Sequence, residues 1–220
     1  MIAESTFAFL RKLEANNTRE WFQENRGEYD AAKDNFVQFA DAVFDEVKAF
    51  EPRFYDTKIK DCIFRIYRDV RFAKDKRPYK TNLSAAFGEG GKSSGKIDYY
   101  LHLQNDETFV GGGMWQPTAE NLGKFRQEID YAPEKLKEII ENPVFKNAFP
   151  LIHGEKLKRT PKGYSEDHPD IDLLRYKEMF FWKKFSNEEV KSPHFKTQIV
   201  QHIKILKPFV DYLNELFYGE

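Results

Sequence analysis

A single cysteine, Cys62, stands in 220 residues, which excludes an intramolecular disulfide and any cysteine-based zinc cage. Set inside the apolar run "CIFRIY", that thiol reads as a small core residue rather than a nucleophile. Long hydrophobic runs are missing as well. The opening "MIAESTFAFLRKL" holds no stretch long enough for a secretion signal, and no later window approaches a membrane span. A cytoplasmic protein without a membrane partner is the expectation. Charge of one sign is scarce too. Against 35 basic residues stand 36 acidic ones, and the net charge of −1 excludes a protein that coats nucleic acid with its whole surface. No second histidine lies at metal-ligand spacing near His168, so no metal site is predicted, and no motif names a cofactor.

What the chain has in quantity is core material. Hydrophobic residues make up 40% of it and phenylalanines number 21, enough for an aromatic core in one domain spanning residues 1–220. The first fifty residues read as helices. Ser5 or Thr6 is placed to cap one carrying Phe7, Leu10 and Leu13, and Thr18 to cap a short turn with Trp21 and Phe22. A long helix follows, its stripe Tyr29, Ala32, Phe36, Phe39, Ala40, Val43 and Val47, with Pro52 just beyond its end. From Cys62 the period changes to two. "CIFRIYR", "LSAAFGEG", "KIDYYLHLQ" and "TFVGGGMW" read as strands, and their short links predict antiparallel pairing. After Trp115 helices return in "TAENLGKFRQEI" and "APEKLKEII". Residues 150–170 are polar, with a short strand near Glu155 to Leu157. "HPDIDLLRYKEM" reads as a brief helix and "FFWKKF" as a strand, and a terminal helix opened by Ser192-Pro193 contains Pro208. The layout predicts an α+β fold: a mainly antiparallel sheet over about residues 60–115 packed by N- and C-terminal helices.

Two glycine-rich stretches invite a ligand. "GEGGKSSGK" fits the first part of a phosphate loop, but Ile97 stands where a Ser or Thr should hold magnesium, and the sequence beyond has strand character. It reads as a flexible hairpin tip. "FVGGGMWQPT" is the better candidate, since Gly112 and Gly113 remove side chains where a ligand or another segment could approach, beside Trp115.

The strongest local signal is electrostatic. "RDVRFAKDKRPYK", residues 68–80, holds six basic and two acidic residues, so it sums to +4 while the remainder sums to −5. Arg68, Arg71, Lys74, Lys76 and Lys80, gathered where a strand gives way to a loop, suit an anion clamp, because guanidinium forks and mobile ammonium groups both match phosphate. Asp69 is placed to orient a cation or to act in acid–base chemistry.

Three segments, "NNTREWFQENRGEY", "RIYRDVRFAKDKRPYKTN" and "TPKGYSEDHPDIDLLRYK", together resemble the bacterial and fungal family called domain of unknown function 2461. Its members pair an Asn-Asn-x-Arg-x-Trp-Phe segment with an Arg-Asp-x-Arg-Phe-x-Lys-Asp-Lys-x-Pro-Tyr-Lys segment and a later Gly-Tyr…His-Pro. Ala73 stands where the family commonly has Ser. The resemblance implies a shared motif set and carries no established activity. On the expectation that the segments meet, Arg19 joins the anion-binding cations, Trp21, Tyr79, Trp115 and Tyr164 form pocket walls with Gly112 and Gly113, and His168 is the acid–base candidate with Asp69. The expected function is binding of, or action on, a phosphorylated small molecule or nucleotide. The alternative is a nucleic-acid or protein interaction module on the same patch, with Tyr67, Phe72 and Tyr79 interleaved for stacking.

Overall fold

Helices form where the three- and four-residue spacing predicts them. The computed structural model describes residues 1–219. Helix α1 (Glu4–Ala15) has Ala3 at its cap position, two or three residues earlier than Ser5 or Thr6 would set it. Its start is tied by the side chain of Asn35, whose Oδ1 accepts from the Ala3 N–H and the Thr6 hydroxyl, both at 2.9 Å. Helix α2 (Arg19–Glu24) is capped as expected, with Thr18 Oγ1 accepting from the Trp21 N–H at 3.2 Å. The long stripe is the buried face of α3 (Arg26–Lys48), which adds Phe44.

The first predicted strand differs. Cys62 closes a helical turn, α4 (Ile59–Cys62), and the chain then runs extended through isolated antiparallel bridges, Ile63 to Ala85 and Tyr67 to Tyr79. A bend at Ile66 interrupts the ladder, so no continuous strand forms. The sheet proper consists of β1 (Leu83–Phe87), β2 (Tyr99–Leu103), β3 (Thr108–Met114) and a later strand, β4 (Met179–Phe185). It is antiparallel in the order β1-β2-β3-β4, as the short connections required. The "GEGGKSSGK" stretch is a folded turn rather than a loose tip. Gly90, Gly91 and Gly95 take positive φ, and Gly91 is buried so closely against Asp61 that a Cβ would sit 2.6 Å from its carbonyl oxygen.

Between β3 and β4 come α5 (Ala119–Tyr131), α6 (Glu134–Glu141), α7 (Pro143–Ala148) and the brief α8 (Ile171–Leu174). The strand expected near Glu155 reduces to single bridges, His153 to Phe180 and Lys156 to Tyr176. After β4 a capping box formed by Ser186 and Glu189 starts α9 (Asn187–Lys191), and α10 (Phe195–Tyr218) runs through Pro208.

The chain divides into two compact units, each assembled from three stretches. The first comprises residues 1–95, 100–110 and 184–201; the second comprises 96–99, 111–183 and 202–220. The first unit's core is aromatic. Phe44 stacks on Phe87 at 5.3 Å and Phe39 on Phe195 at 5.3 Å between ring centres. In the second, Phe181 meets Phe145 and Phe209 edge-on, each at 4.9 Å. No helix among the described residues is long and apolar enough to cross a membrane.

Candidate functional site

The first unit holds two of the three motif segments and joins them through one side chain. Asn17 is buried. Its Nδ2 donates to the Tyr79 carbonyl at 3.0 Å, and its Oδ1 accepts the Tyr79 N–H at 3.1 Å. The amide thus pairs with the backbone as a neighbouring strand would. Phe22 stacks on the Tyr79 ring at 4.0 Å, and Tyr67 and Tyr29 close the cluster. Trp21 stacks on Phe9 at 6.2 Å. Burial pushes the Tyr79 hydroxyl above its ordinary value, Tyr67 adds to this, and Arg19 and Arg26 oppose it. Arg19 is exposed at the start of α2.

Within the basic loop the two carboxylates take all three arginines. Asp75 accepts from Arg68 at 2.8 Å and lies 2.8 Å from a terminal nitrogen of Arg77. Asp69 takes Arg71 through two guanidinium nitrogens, at 3.0 and 2.6 Å. Hydrogen bonds from Arg77 and Arg71 respectively hold both carboxyls below the usual range. Asp69 is therefore a fixed carboxylate partner of Arg71 at neutral pH rather than a free general acid. Lys76 donates to the carbonyls of Val70 and Arg71, closing the turn. Asp69 holds Arg71 two residues on, and Asp75 holds both Arg77 two residues on and Arg68 seven residues back, so the arginines expected in a joint clamp with Lys74 and Lys76 are already engaged inside the loop. Of the six cations three, the exposed Lys74 and Lys76 and the half-buried Lys80, have no ionic partner among the described residues.

Lys80 is the unusual one. It is half-buried, with Nζ 5.2 Å from the centre of the Phe64 ring. Burial pushes its ammonium below the ordinary value, and the neighbouring positive charge of Arg65 adds to that; no carboxylate among the described residues offsets either. Beside it Tyr100 and His102 on one face of β2, and Gln104 just beyond its end, are half-buried, with Phe109 of β3 stacked on His102 at 4.8 Å. Sequence reading placed "KIDYYLHLQ" as a strand and stopped there. The signal was present in its alternation, which sets Tyr100, His102 and Gln104 opposite the buried Tyr99, Leu101 and Leu103.

The remaining expected residues belong to the second unit. His168 donates from Nε2 to Asp130 Oδ1 at 3.1 Å, and its Nδ1 accepts the Asp170 N–H at 3.0 Å. Both ring nitrogens are engaged, and the second bond fixes the entry to α8. Tyr164 stands edge-on to that ring at 6.4 Å, its hydroxyl pushed up by burial. At Gly112 and Gly113 the chain itself fills the space a side chain would take. A Cβ on Gly112 would lie 2.9 Å from the Asp98 carbonyl oxygen and 3.1 Å from Leu206, and one on Gly113 would lie 2.6 Å from the Met179 carbonyl oxygen. The glycines let the chain itself approach. Trp115 is 60% exposed and meets Phe180 edge-on at 4.9 Å. No group of three or more metal-ligating side chains occurs among the described residues.

A family model described as conserved hypothetical protein (DUF2461) matches residues 5–212, and the chain belongs to that family. No curated protein and no solved structure matches it.

Proposed function

We propose that this member of the family binds an anion, a phosphorylated small molecule or nucleotide, at Lys80 and Arg65 beside the polar row on β2, either as an enzyme or as a binder. The carrying observation is the half-buried ammonium of Lys80 without a carboxylate. Removing a charge from water is unfavourable unless something opposite replaces the solvent. A ring face returns only about 0.5–2 kcal/mol, and a second cation nearby makes matters worse. An anion placed there would satisfy both cations at once, where stability alone gives no reason to set them side by side.

Screening pyrophosphate and a nucleotide series by thermal shift tests this. A ligand at a hundred times its dissociation constant stabilises by about 2.7 kcal/mol, or about 5–10 °C for a chain of this length. Lys80→Met is expected to remove that gain, and Arg71→Ala to leave it in place, since Arg71 is already committed to Asp69. No stabilisation by any anion, or an undiminished gain in Lys80→Met, would reject the reading.

A second reading, an interaction module, rests on Phe72. At the tip of the basic loop its ring is 96% exposed, between Arg71 and the unpaired Lys74. Exposed aromatics among cations stack on single-stranded bases for about 1–3 kcal/mol each. Phe72→Ala is then expected to weaken oligonucleotide binding roughly tenfold or more, with a steep salt dependence in the parent protein. A salt-independent affinity that Phe72→Ala leaves unchanged would dismiss it.

A further inference from the structure

Three side chains in the first unit, Tyr100, His102 and Gln104, form a hydrogen-bonded row, and Ser84 of the neighbouring β1 acts on the Tyr100 hydroxyl as a donor that lowers it. That hydroxyl lies 3.3 Å from His102 Nδ1, and His102 Nε2 lies 3.0 Å from Gln104 Oε1. An amide oxygen only accepts, so Nε2 carries the proton and Nδ1 presents its lone pair to the Tyr100 O–H. Ser84 is buried, whereas Tyr100, His102 and Gln104 each keep part of their surface. The rings are held from the sides, Phe109 stacked on His102 with 11° between planes and Phe64 edge-on to Tyr100 at 5.8 Å.

The direction of the row matters. A neutral imidazole with its lone pair turned to a reachable phenol is a base aimed along a hydroxyl. Burial keeps His102 below its ordinary value, and Lys80 pushes in the same direction, while the hydrogen bond to Gln104 and the charge of Glu107, in the turn after β2, oppose them. Tyr100 is raised by burial, and the bond from Ser84 counteracts this. The row is thus coupled electrostatically to Lys80, the half-buried cation that no carboxylate pairs.

We infer that Tyr100 and His102 form a proton-transfer pair serving a phosphate monoester held at Lys80. This rests on the anion-binding reading. The Tyr100 oxygen takes the proton of the monoprotonated phosphate as its own proton passes to His102 Nδ1. The ligand becomes a dianion, Tyr100 stays neutral, and the imidazolium keeps its Nε2–H on Gln104. A dianion between an ammonium and an imidazolium is the better-compensated arrangement, and the second phosphate proton, with a pKa of about 6, is the one within reach.

The test follows the His102 ring by NMR in labelled protein with inorganic phosphate as probe. Saturating phosphate is expected to raise the His102 titration midpoint by about one unit in the parent, following the rule that an opposite charge a few ångströms away favours the charged form. The shift is expected to fall by at least half in Tyr100→Phe. An unchanged midpoint at saturation overturns the pair. The ligand-free protein gives an independent answer. There Tyr100→Phe removes the bond to Nδ1 and is expected to move that nitrogen's resonance, while a resonance that does not move overturns the pair. Absence of phosphate binding, seen as no thermal shift, would instead reject the anion reading, and the ligand-free measurement would still decide whether the pair exists.

Discussion

Replacing Asn17 with alanine is expected to lower the unfolding free energy by about 2–5 kcal/mol, because each buried group left unpaired costs about 1–3 kcal/mol. Both the N–H and the carbonyl of Tyr79 lose their partner in that variant, and Tyr79 is 3% exposed, so water cannot replace the amide. On a domain whose total stability is about 5–15 kcal/mol the loss is large. The effect should also be local. Tyr79 precedes Lys80, so loosening its backbone frees the cation on which the proposed anion site depends. Urea denaturation measures the first effect, and hydrogen exchange at the Tyr79 amide measures the second. A change under 1 kcal/mol with full protection at Tyr79 would show that the clamp holds nothing.

Asp98→Asn should have the opposite sign. Asp98, in the second unit, has a buried Oδ1 without a hydrogen-bond partner, and burial pushes its carboxyl up to about 7 from 3.8. In the folded protein the group holds its proton up to about neutral pH, whereas in the unfolded chain it releases it near pH 4. Between those values the folded state binds more protons, so the contribution of Asp98 to stability falls as pH rises and is flat above 7. At 1.36 kcal/mol per unit the full difference is about 4 kcal/mol, an upper bound because part of the residue reaches solvent. Asparagine carries no charge to desolvate. The variant should match the parent near pH 4 and exceed it by about 2–4 kcal/mol at pH 8. The difference between the two curves isolates this group from exposed carboxylates such as Asp75, which its arginines hold low and which act in the other direction. Equal stability of the two proteins at pH 8 would refute the assignment.

Much of the fold was legible because its spacing is local. The stripe from Tyr29 to Val47, the cap at Thr18 and the alternation in β2 each involve residues a few positions apart, so sequence order and spatial order coincide. "CIFRIYR" misled because its β-branched and aromatic content describes an extended chain, yet a strand also needs an unbroken ladder. The helical turn at Cys62 and the bend at Ile66 deny it one. The site was less legible. Counting charge in residues 68–80 found the cations but not their partners, because Asp69 and Asp75 were weighed as two charges against six. Geometry let Asp75 serve two arginines and Asp69 chelate a third.

The same limit explains why the family segments read as a ligand site. Asn17 and Tyr79 are 62 residues apart, and nothing in either segment announces that one amide pairs with the other's backbone. His168 spends both nitrogens on Asp130 and on the Asp170 amide, a use that its neighbours in the chain only half disclose. Sequence alone determined the class of fold, the helical stripes and the region richest in positive charge, since composition and short-range periodicity act through neighbours. Tertiary structure alone decided which charges are already satisfied, and so left Lys80 rather than the arginines as the cation in want of a partner. Hydrogen bonds and ion pairs are won by whichever group lies within about 3 Å, and that distance is set by the folded chain.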